Sequence, residues 1–137
     1  MNKILVEVSI GELLDKISIL EIKKEKIMNA EKLKFINNEY NILKEQLDNN
    51  IKTDEKLNKL IKSLKEINAK LWVIEDDKRM CEKNSDFGEK FTKLSRNVHF
   101  SMMIGLKLNW KSIITLDLKL KKSRNILITN LDLELSF

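Results

Sequence analysis

Apolar residues recur at alternating steps of three and four residues along two consecutive stretches of this chain. The first stripe comprises Leu33, Ile36, Tyr40, Leu43 and Leu47, and the second comprises Leu57, Leu60, Leu64, Ile67, Leu71 and Ile74. This spacing lines one face of an α-helix, and that face must be covered by another helix. Because the 137 residues include only three Gly and no Pro, few positions can interrupt such helices. We therefore predict a mainly α fold built from helical hairpins or a bundle.

Four helix starts can be predicted from residues that cap helices. Ser9 and Glu12 have the spacing of a capping box, which predicts a first helix from about Ile10. Asn29 is expected to cap a second helix over about 30–48, and Thr53 or Asp54 a third, which should end at Asn84-Ser85. The segment 86–89 repeats the capping pattern with Asp86 and predicts a fourth helix. We expect the second and third helices to form an antiparallel hairpin.

The two ends of the chain have a different pattern. Residues 3–8 are short and rich in β-branched side chains, which predicts an extended arm or a lone strand. Near the other end, Leu116–Lys121 and Leu131–Leu135 alternate apolar and charged residues with a period of two. We therefore expect an irregular or partly β C-terminal tail.

Charge and composition exclude several classes of protein. The net charge is +5, but only three of the 26 basic residues are Arg, and the aromatic residues do not alternate with them, so we do not expect nucleic-acid binding. No apolar run is long enough for a membrane span, and no leader peptide is evident. A single Cys and a single His leave no zinc cluster or disulfide framework, and we expect a cytoplasmic protein. Cys81 and His99 are interpreted as packed or surface residues.

Charged residues at one-turn spacing are the candidates for chemistry. They are Glu12, Asp15, Lys16, Glu21, Glu75, Asp76, Arg79 and Arg96. Carboxylates one turn apart can share a hard cation, so Glu12, Asp15, Glu75 and Asp76 are weak candidates for magnesium ligands. An adjacent Arg can bind a carboxylate or a phosphate. The same spacing is also typical of helix faces that simply contact water, so the pattern leaves both interpretations open.

Two groups of motifs resemble those of a known family. Residues 6–23 carry the first, which begins Val6-Glu7-Val8-Ser9 and ends Glu21-Ile22-Lys23, while residues 71–82 and 87–100 carry the second. Over residues 3 to about 101 the chain resembles the DUF6165 family of uncharacterised small bacterial proteins. The family has no established activity. The resemblance implies that its polar motif positions correspond to Glu12, Asp15, Lys16, Glu21, Glu75, Asp76, Arg79 and Arg96, and it implies a link to surface-polysaccharide metabolism.

The resemblance stops after Ser101. The family pattern continues with Asn-Asp and Arg-Ala, whereas this chain continues Met102-Met103-Ile104-Gly105. Because Met has a single codon, the neighbouring reading frame is partly fixed, and it restores Asn-Asp-Asp-Arg-Ala. We therefore interpret residues 1–101 as a helical domain and residues 102–137 as an atypical tail, and our hypothesis is that this tail is out of frame.

Two functional hypotheses follow from these observations. The first is a non-enzymatic accessory or interaction protein that uses the helix-two and helix-three hairpin as a partner surface. The second is a small enzyme or binding protein in which the polar candidates form a site within the bundle for an anionic small molecule. Long apolar seams in a small domain also predict a homodimer. Convergence of the eight side chains in one concave site would favour the enzyme.

Overall fold

The computed structural model describes the backbone of residues 4–123 and the side chains of residues 4–116 and 118. It contains four helices: α1 (Ile10–Lys26), α2 (Ala30–Asn50), α3 (Glu55–Lys83) and α4 (Glu89–Ser123). The predicted helical bundle is therefore confirmed.

Three of the predicted helix starts are capped as expected. The Glu12 amide donates to Ser9 Oγ at 3.3 Å, the Lys32 amide to Asn29 Oδ1 at 3.0 Å, and the Leu57 amide to Asp54 Oδ1 at 2.8 Å. Each side chain satisfies an amide that the first turn of a helix leaves unpaired.

The fourth start differs from the prediction. Helix α4 begins at Glu89, so Asp86 lies too early to cap it, and Asp86 Oδ1 instead accepts from the Gly88 amide at 3.3 Å. Ser85 adopts a positive φ of 53° at the turn that follows α3. Asp86 therefore stabilises the connecting turn rather than the helix end.

Helix α1 lies at the centre of the packing. It contacts α2, α3 and α4, and α3 and α4 pack on each other as an antiparallel hairpin. The core is formed by apolar side chains that are almost completely buried: Leu14, Ile17, Leu47, Leu57 and Leu64. Leu47, Leu57 and Leu64 belong to the stripes expected from the sequence, and Cys81, which is 2% exposed, extends the α3 stripe as a small packed residue.

The predicted pairing of α2 with α3 is wrong. Among the described residues, no Cα atom of α2 comes within 8 Å of a Cα atom of α3 or α4, whereas α2 packs along α1. The repeat of apolar residues specifies that a helix has a face to bury, but it does not specify the partner, and α1 carries a matching stripe. The bundle is thus an α1–α2 hairpin combined with an α3–α4 hairpin.

The two ends of the described chain also differ from expectation. Residues 4–9 form neither helix nor strand, and Ile4, Leu5 and Val6 are 85%, 95% and 74% exposed, so the arm does not pack on the bundle. Helix α4 continues through Ser101 to Ser123, where we predicted an irregular or partly β tail. Leu116–Lys121 is helical, and Leu131–Leu135 lies outside the described residues. The boundary predicted after Ser101 falls inside α4, and the frameshift stays a prediction about the gene.

None of the helices in the described part of the chain combines the length and apolar character needed to cross a membrane.

Candidate functional site

The eight charged candidates do not meet in one place. Glu12, Lys16, Asp76, Arg79 and Arg96 are exposed, and Asp15, Glu21 and Glu75 are half-buried. Asp15 and Glu21 lie in two polar contacts between α1 and its neighbours, whereas Asp76 and Arg79 pair with each other on the exposed face of α3. Arg96 lies on α4 in a shallow surface groove with His99 and Phe100.

The first polar contact joins α1 to α3. Asn68 Nδ2 donates to Asp15 Oδ1 at 2.7 Å and to Ser18 Oγ at 2.7 Å, and Ser18 Oγ donates to the Asp15 carbonyl at 2.8 Å. Both amide hydrogens of Asn68 are therefore used, and the buried Ser18 hydroxyl both donates and accepts. We call this set the Asn68 clamp; it fixes the register of the two helices.

The second polar contact joins α1, α2 and α3. Tyr40 Oη donates to Glu21 Oε1 at 3.3 Å, while Lys65 Nζ lies 3.2 Å from Glu21 Oε2 and 2.9 Å from Glu25 Oε1. Lys24 Nζ lies 4.0 Å from the centre of the Tyr40 ring, within the range of a cation–π contact. We call Glu21, Tyr40, Lys65 and Glu25 the Glu21 cluster.

The titration behaviour of the Glu21 cluster fits a structural contact. Burial raises the pKa of the Tyr40 hydroxyl above its ordinary 10.0, and the charge and hydrogen bond of Glu21 raise it further. Hydrogen bonds to Glu25 and Glu21 raise the pKa of Lys65 above its ordinary 10.5. Both groups therefore keep their protons at neutral pH, so neither has the pKa near 7 that suits acid–base catalysis.

A third location lies between the start of α1 and the second half of α4. Ser9 and Glu12 border a groove of about 300 Å³ with Leu106, Asn109, Trp110 and Ile113. A Cβ atom built on Gly11 would lie 2.9 Å from the Asn109 carbonyl oxygen, so only glycine permits this approach of α1 to α4. Asn109 Oδ1 and Trp110 Nε1 are buried there without a hydrogen-bond partner among the described residues.

The predicted magnesium ligands are not assembled. Asp15 accepts from Asn68, Asp76 pairs with Arg79, and Glu12 is exposed at the groove beside Asn109. Among the side chains that the structure describes, residues 4–116 and 118, no group of three or more His, Cys, Asp or Glu is placed to hold a metal ion.

The partners of Asp15 and Glu21 were not among the residues that the sequence indicated. On α3, Asn68 lies 53 positions after Asp15 and Lys65 lies 44 positions after Glu21 in the chain, and Tyr40 was interpreted as an apolar seam residue. Ser18 could have been recognised as a buried polar residue from its position, because it directly follows Ile17 on the buried side of α1. The α3 partners could not be recognised without knowing that α1 and α3 pack together.

Most of the α2 surface outside its contact with α1 is exposed. Only Ile36 and Leu47 of its 21 residues are buried, and both belong to the seam that packs on α1. Met28, Phe35 and Ile42 are 90%, 73% and 44% exposed. Phe35 and Ile42 are spaced seven residues apart, so at 100° per residue they lie on one line, about 120° around α2 from that seam, whereas Met28 precedes the helix. We call Phe35 and Ile42 the α2 outer stripe.

Compared with known proteins, the chain matches no family model, no curated protein and no solved structure.

Proposed function

We propose that this chain is a non-enzymatic interaction protein and that it recognises an apolar helix through the α2 outer stripe. The observation that carries the proposal is the packing of α2, which is covered by α1 on one side only and leaves Phe35 73% exposed on the other. Solitary exposed apolar side chains are common, but Phe35 and Ile42 are aligned two turns apart on the part of α2 that α1 leaves uncovered, as apolar anchors of a helix–helix interface are.

The partner surface differs from the one first expected. The sequence suggested that a hairpin of α2 and α3 would provide it, but these helices do not pack together in the described residues. The proposed surface is therefore α2 alone, held by its seam against α1 and by the Tyr40 hydroxyl bonded to Glu21.

The alternative was an enzyme or a binding protein for an anionic small molecule, linked to surface-polysaccharide metabolism. It gains no support from the positions of the candidate residues. Asp15 and Glu21 accept hydrogen bonds from other helices, and Arg79 is paired with Asp76. An anion site needs cationic groups that converge and are still available to the ligand, and the candidates Lys16, Arg79 and Arg96 do not share a groove.

We also propose a cytoplasmic location and no role in nucleic-acid binding. The cytoplasmic proposal is supported by the one cysteine, Cys81, which is a free and buried thiol. The second proposal is supported by the composition, because Arg79 and Arg96 are the only arginines in the described residues and Arg is enriched where proteins recognise phosphate.

Site-specific photocrosslinking in the cells that make the chain tests the interaction. A photoreactive phenylalanine analogue replaces Phe35, and in a matched control it replaces Phe87, which is also an exposed aromatic residue. We expect a discrete adduct, identified by mass spectrometry, from position 35 only, and we expect Ile42→Asp in the same chain to abolish it. Equal adducts from both positions, or none, would refute an interaction surface on α2.

A further inference from the structure

We infer that the helix received by the α2 outer stripe is α2 of a second copy of this chain, packed antiparallel. This inference rests on the proposed function and identifies its partner. It is carried by three features of α2: the apolar stripe, the distribution of charge along the helix, and the position of one asparagine.

The stripe can pair with itself. Phe35 and Ile42 lie on either side of the midpoint between Asn38 and Glu39, at equal distances along the helix. A two-fold axis at this midpoint brings Phe35 of each copy against Ile42 of the other. The same surface is then used by both copies, as a symmetric dimer requires.

The charges on α2 favour the antiparallel arrangement. Residues 30–38 carry a net charge of +1, from Lys32 and Lys34 against Glu31, and residues 39–50 carry a net charge of −2, from Glu39, Glu45 and Asp48 against Lys44. A parallel pair would place like charges together, whereas an antiparallel pair places the net basic half of each copy against the net acidic half of the other. Lys44 offsets part of the acidic charge through a 3.0 Å ion pair with Asp48.

Lys34 and Glu45 provide a specific pair. They are eleven residues apart, which is close to three helical turns, so they lie on the same flank of the stripe. A two-fold axis between two antiparallel helices brings equal flanks together. With the axis between 38 and 39, Lys34 and Glu45 of the other copy are offset by about 3 Å along the helix, which their long side chains can span. Neither side chain forms an ion pair with another side chain that the structure describes, so both are available for this contact.

Asn38 lies on the outward side of α2 beside the axis and is exposed. An asparagine in an otherwise apolar seam stabilises one register, because only there can its amide pair with that of the other copy. Glu39 lies on the other flank, near the axis, and therefore faces Glu39 of the other copy. Repulsion between these two carboxylates weakens the dimer. With a short stripe and this repulsion, we expect a dissociation constant on the order of 10–100 µM.

Sedimentation velocity of the purified full-length chain over about 5–500 µM tests the inference. We expect the average mass to rise with concentration from 16.1 kDa towards twice that value. Phe35→Asp should remain monomeric over this range, while Asn41→Asp, which adds the same charge on a flank of α2, should behave like the parent chain. Circular dichroism checks that each variant is folded, and Phe35 is exposed enough for the substitution to leave the fold intact.

A charge exchange tests the orientation. Lys34→Glu and Glu45→Lys should each weaken the dimer by about threefold to tenfold, and the double variant should recover most of the loss. In a parallel dimer a single exchange would replace one like-charge contact by another and change little, which would refute the arrangement.

Other outcomes overturn the inference in distinguishable ways. If the parent chain is monomeric at every concentration, a second copy is excluded as the partner of α2. The photocrosslinked adduct from position 35 decides separately whether α2 binds another protein. If Phe35→Asp still dimerises, the dimer forms through another surface and the inference is refuted.

Discussion

Asn68 Nδ2 lies 2.7 Å from Asp15 Oδ1 and 2.7 Å from Ser18 Oγ. One side-chain amide on α3 therefore bonds to two residues that are about one turn apart on the same face of α1. Asp15 is among the residues from which a catalytic or metal site was expected. Its observed partner is an amide donor that uses both of its hydrogens, and the contact therefore joins two helices.

Replacing Asn68 should destabilise the protein. We expect Asn68→Ala to lower the free energy of unfolding by about 1–3 kcal/mol, because the Asp15 carboxylate and the buried Ser18 hydroxyl each lose a donor. Urea unfolding measures the change. Asn58→Ala is the matched control, because Asn58 lies on an exposed position of α3 and should change stability by less than about 0.5 kcal/mol. Equal effects of the two substitutions would contradict the role of the Asn68 clamp.

The Glu21 cluster should make stability depend on alkaline pH. Burial and Glu21 raise the pKa of Tyr40 above 10.0, and hydrogen bonds to Glu25 and Glu21 raise the pKa of Lys65 above 10.5. A group whose pKa is raised by folding stabilises the folded state fully below its unfolded pKa, and this contribution is lost as the pH rises through the folded value. We therefore expect the contribution of Tyr40 and Lys65 to the unfolding free energy to be constant near neutral pH and to fall above about pH 10.

Thermal melts at pH 7 to 11.5 check this dependence. A double variant, Tyr40→Phe with Lys65→Met, removes both titrating groups and should lower the stability at neutral pH while flattening its decline in alkali. An unchanged decline in the double variant would assign the effect to other groups.

The close approach of α1 to α4 can be tested at Gly11. The Cβ atom of Gly11→Ala would lie 2.9 Å from the Asn109 carbonyl oxygen, which belongs to the backbone and cannot easily move. We expect a loss of about 1–3 kcal/mol in urea unfolding. Gly105→Ala is the control, because its nearest neighbour, Ile67 Cγ2, lies at 3.8 Å and alanine favours helix by up to about 1 kcal/mol. Stabilisation by both substitutions would mean that α4 does not pack on α1 at this point.

The proposed change of reading frame makes a prediction about the gene. The neighbouring frame restores the family pattern only if the Ser101 codon ends in A and the Gly105 codon ends in G, and sequencing the genomic DNA determines both bases. Beyond Ser101, Leu108 packs against the core and Gly11 closely approaches Asn109, as expected of a segment that fits the bundle. Two other features of α4 agree instead with a segment not selected for this bundle. Asn109 Oδ1 and Trp110 Nε1 are buried without partners among the described residues, and Met102, Ile104 and Leu106 are 54%, 47% and 59% exposed. Any other base at either position would refute the proposed frame.

The parts of the fold that depend on neighbouring residues could be predicted from the sequence. Ser9, Asn29 and Asp54 cap helices through hydrogen bonds that span three residues, so their spacing contains the necessary information. The α2–α3 hairpin was predicted wrongly because α2 could bury the same stripe against α1. The choice between the two partners depends on contacts distant in sequence.

The segment Leu116–Lys121 shows a second limit. Its alternation favoured a strand, but Leu and Lys are good helix formers and α4 already extends up to this segment, so helix propagation is the easier outcome. The candidate site was limited in the same way as the hairpin. The sequence indicates where Asp15 and Glu21 lie on α1, but it does not indicate that Asn68 and Lys65 on α3 bind them.

Disulfide trapping on α2 tests the central claim most directly. Asn38→Cys places a thiol beside the proposed two-fold axis, and Asn37→Cys places one on an exposed position that points to another side of the same helix. The native thiol of Cys81 is 2% exposed and should not react. With copper–phenanthroline as the oxidant, the account predicts rapid formation of a product of twice 16.1 kDa from Asn38→Cys and little from Asn37→Cys. Equal trapping of both variants, or none of either, would contradict the account.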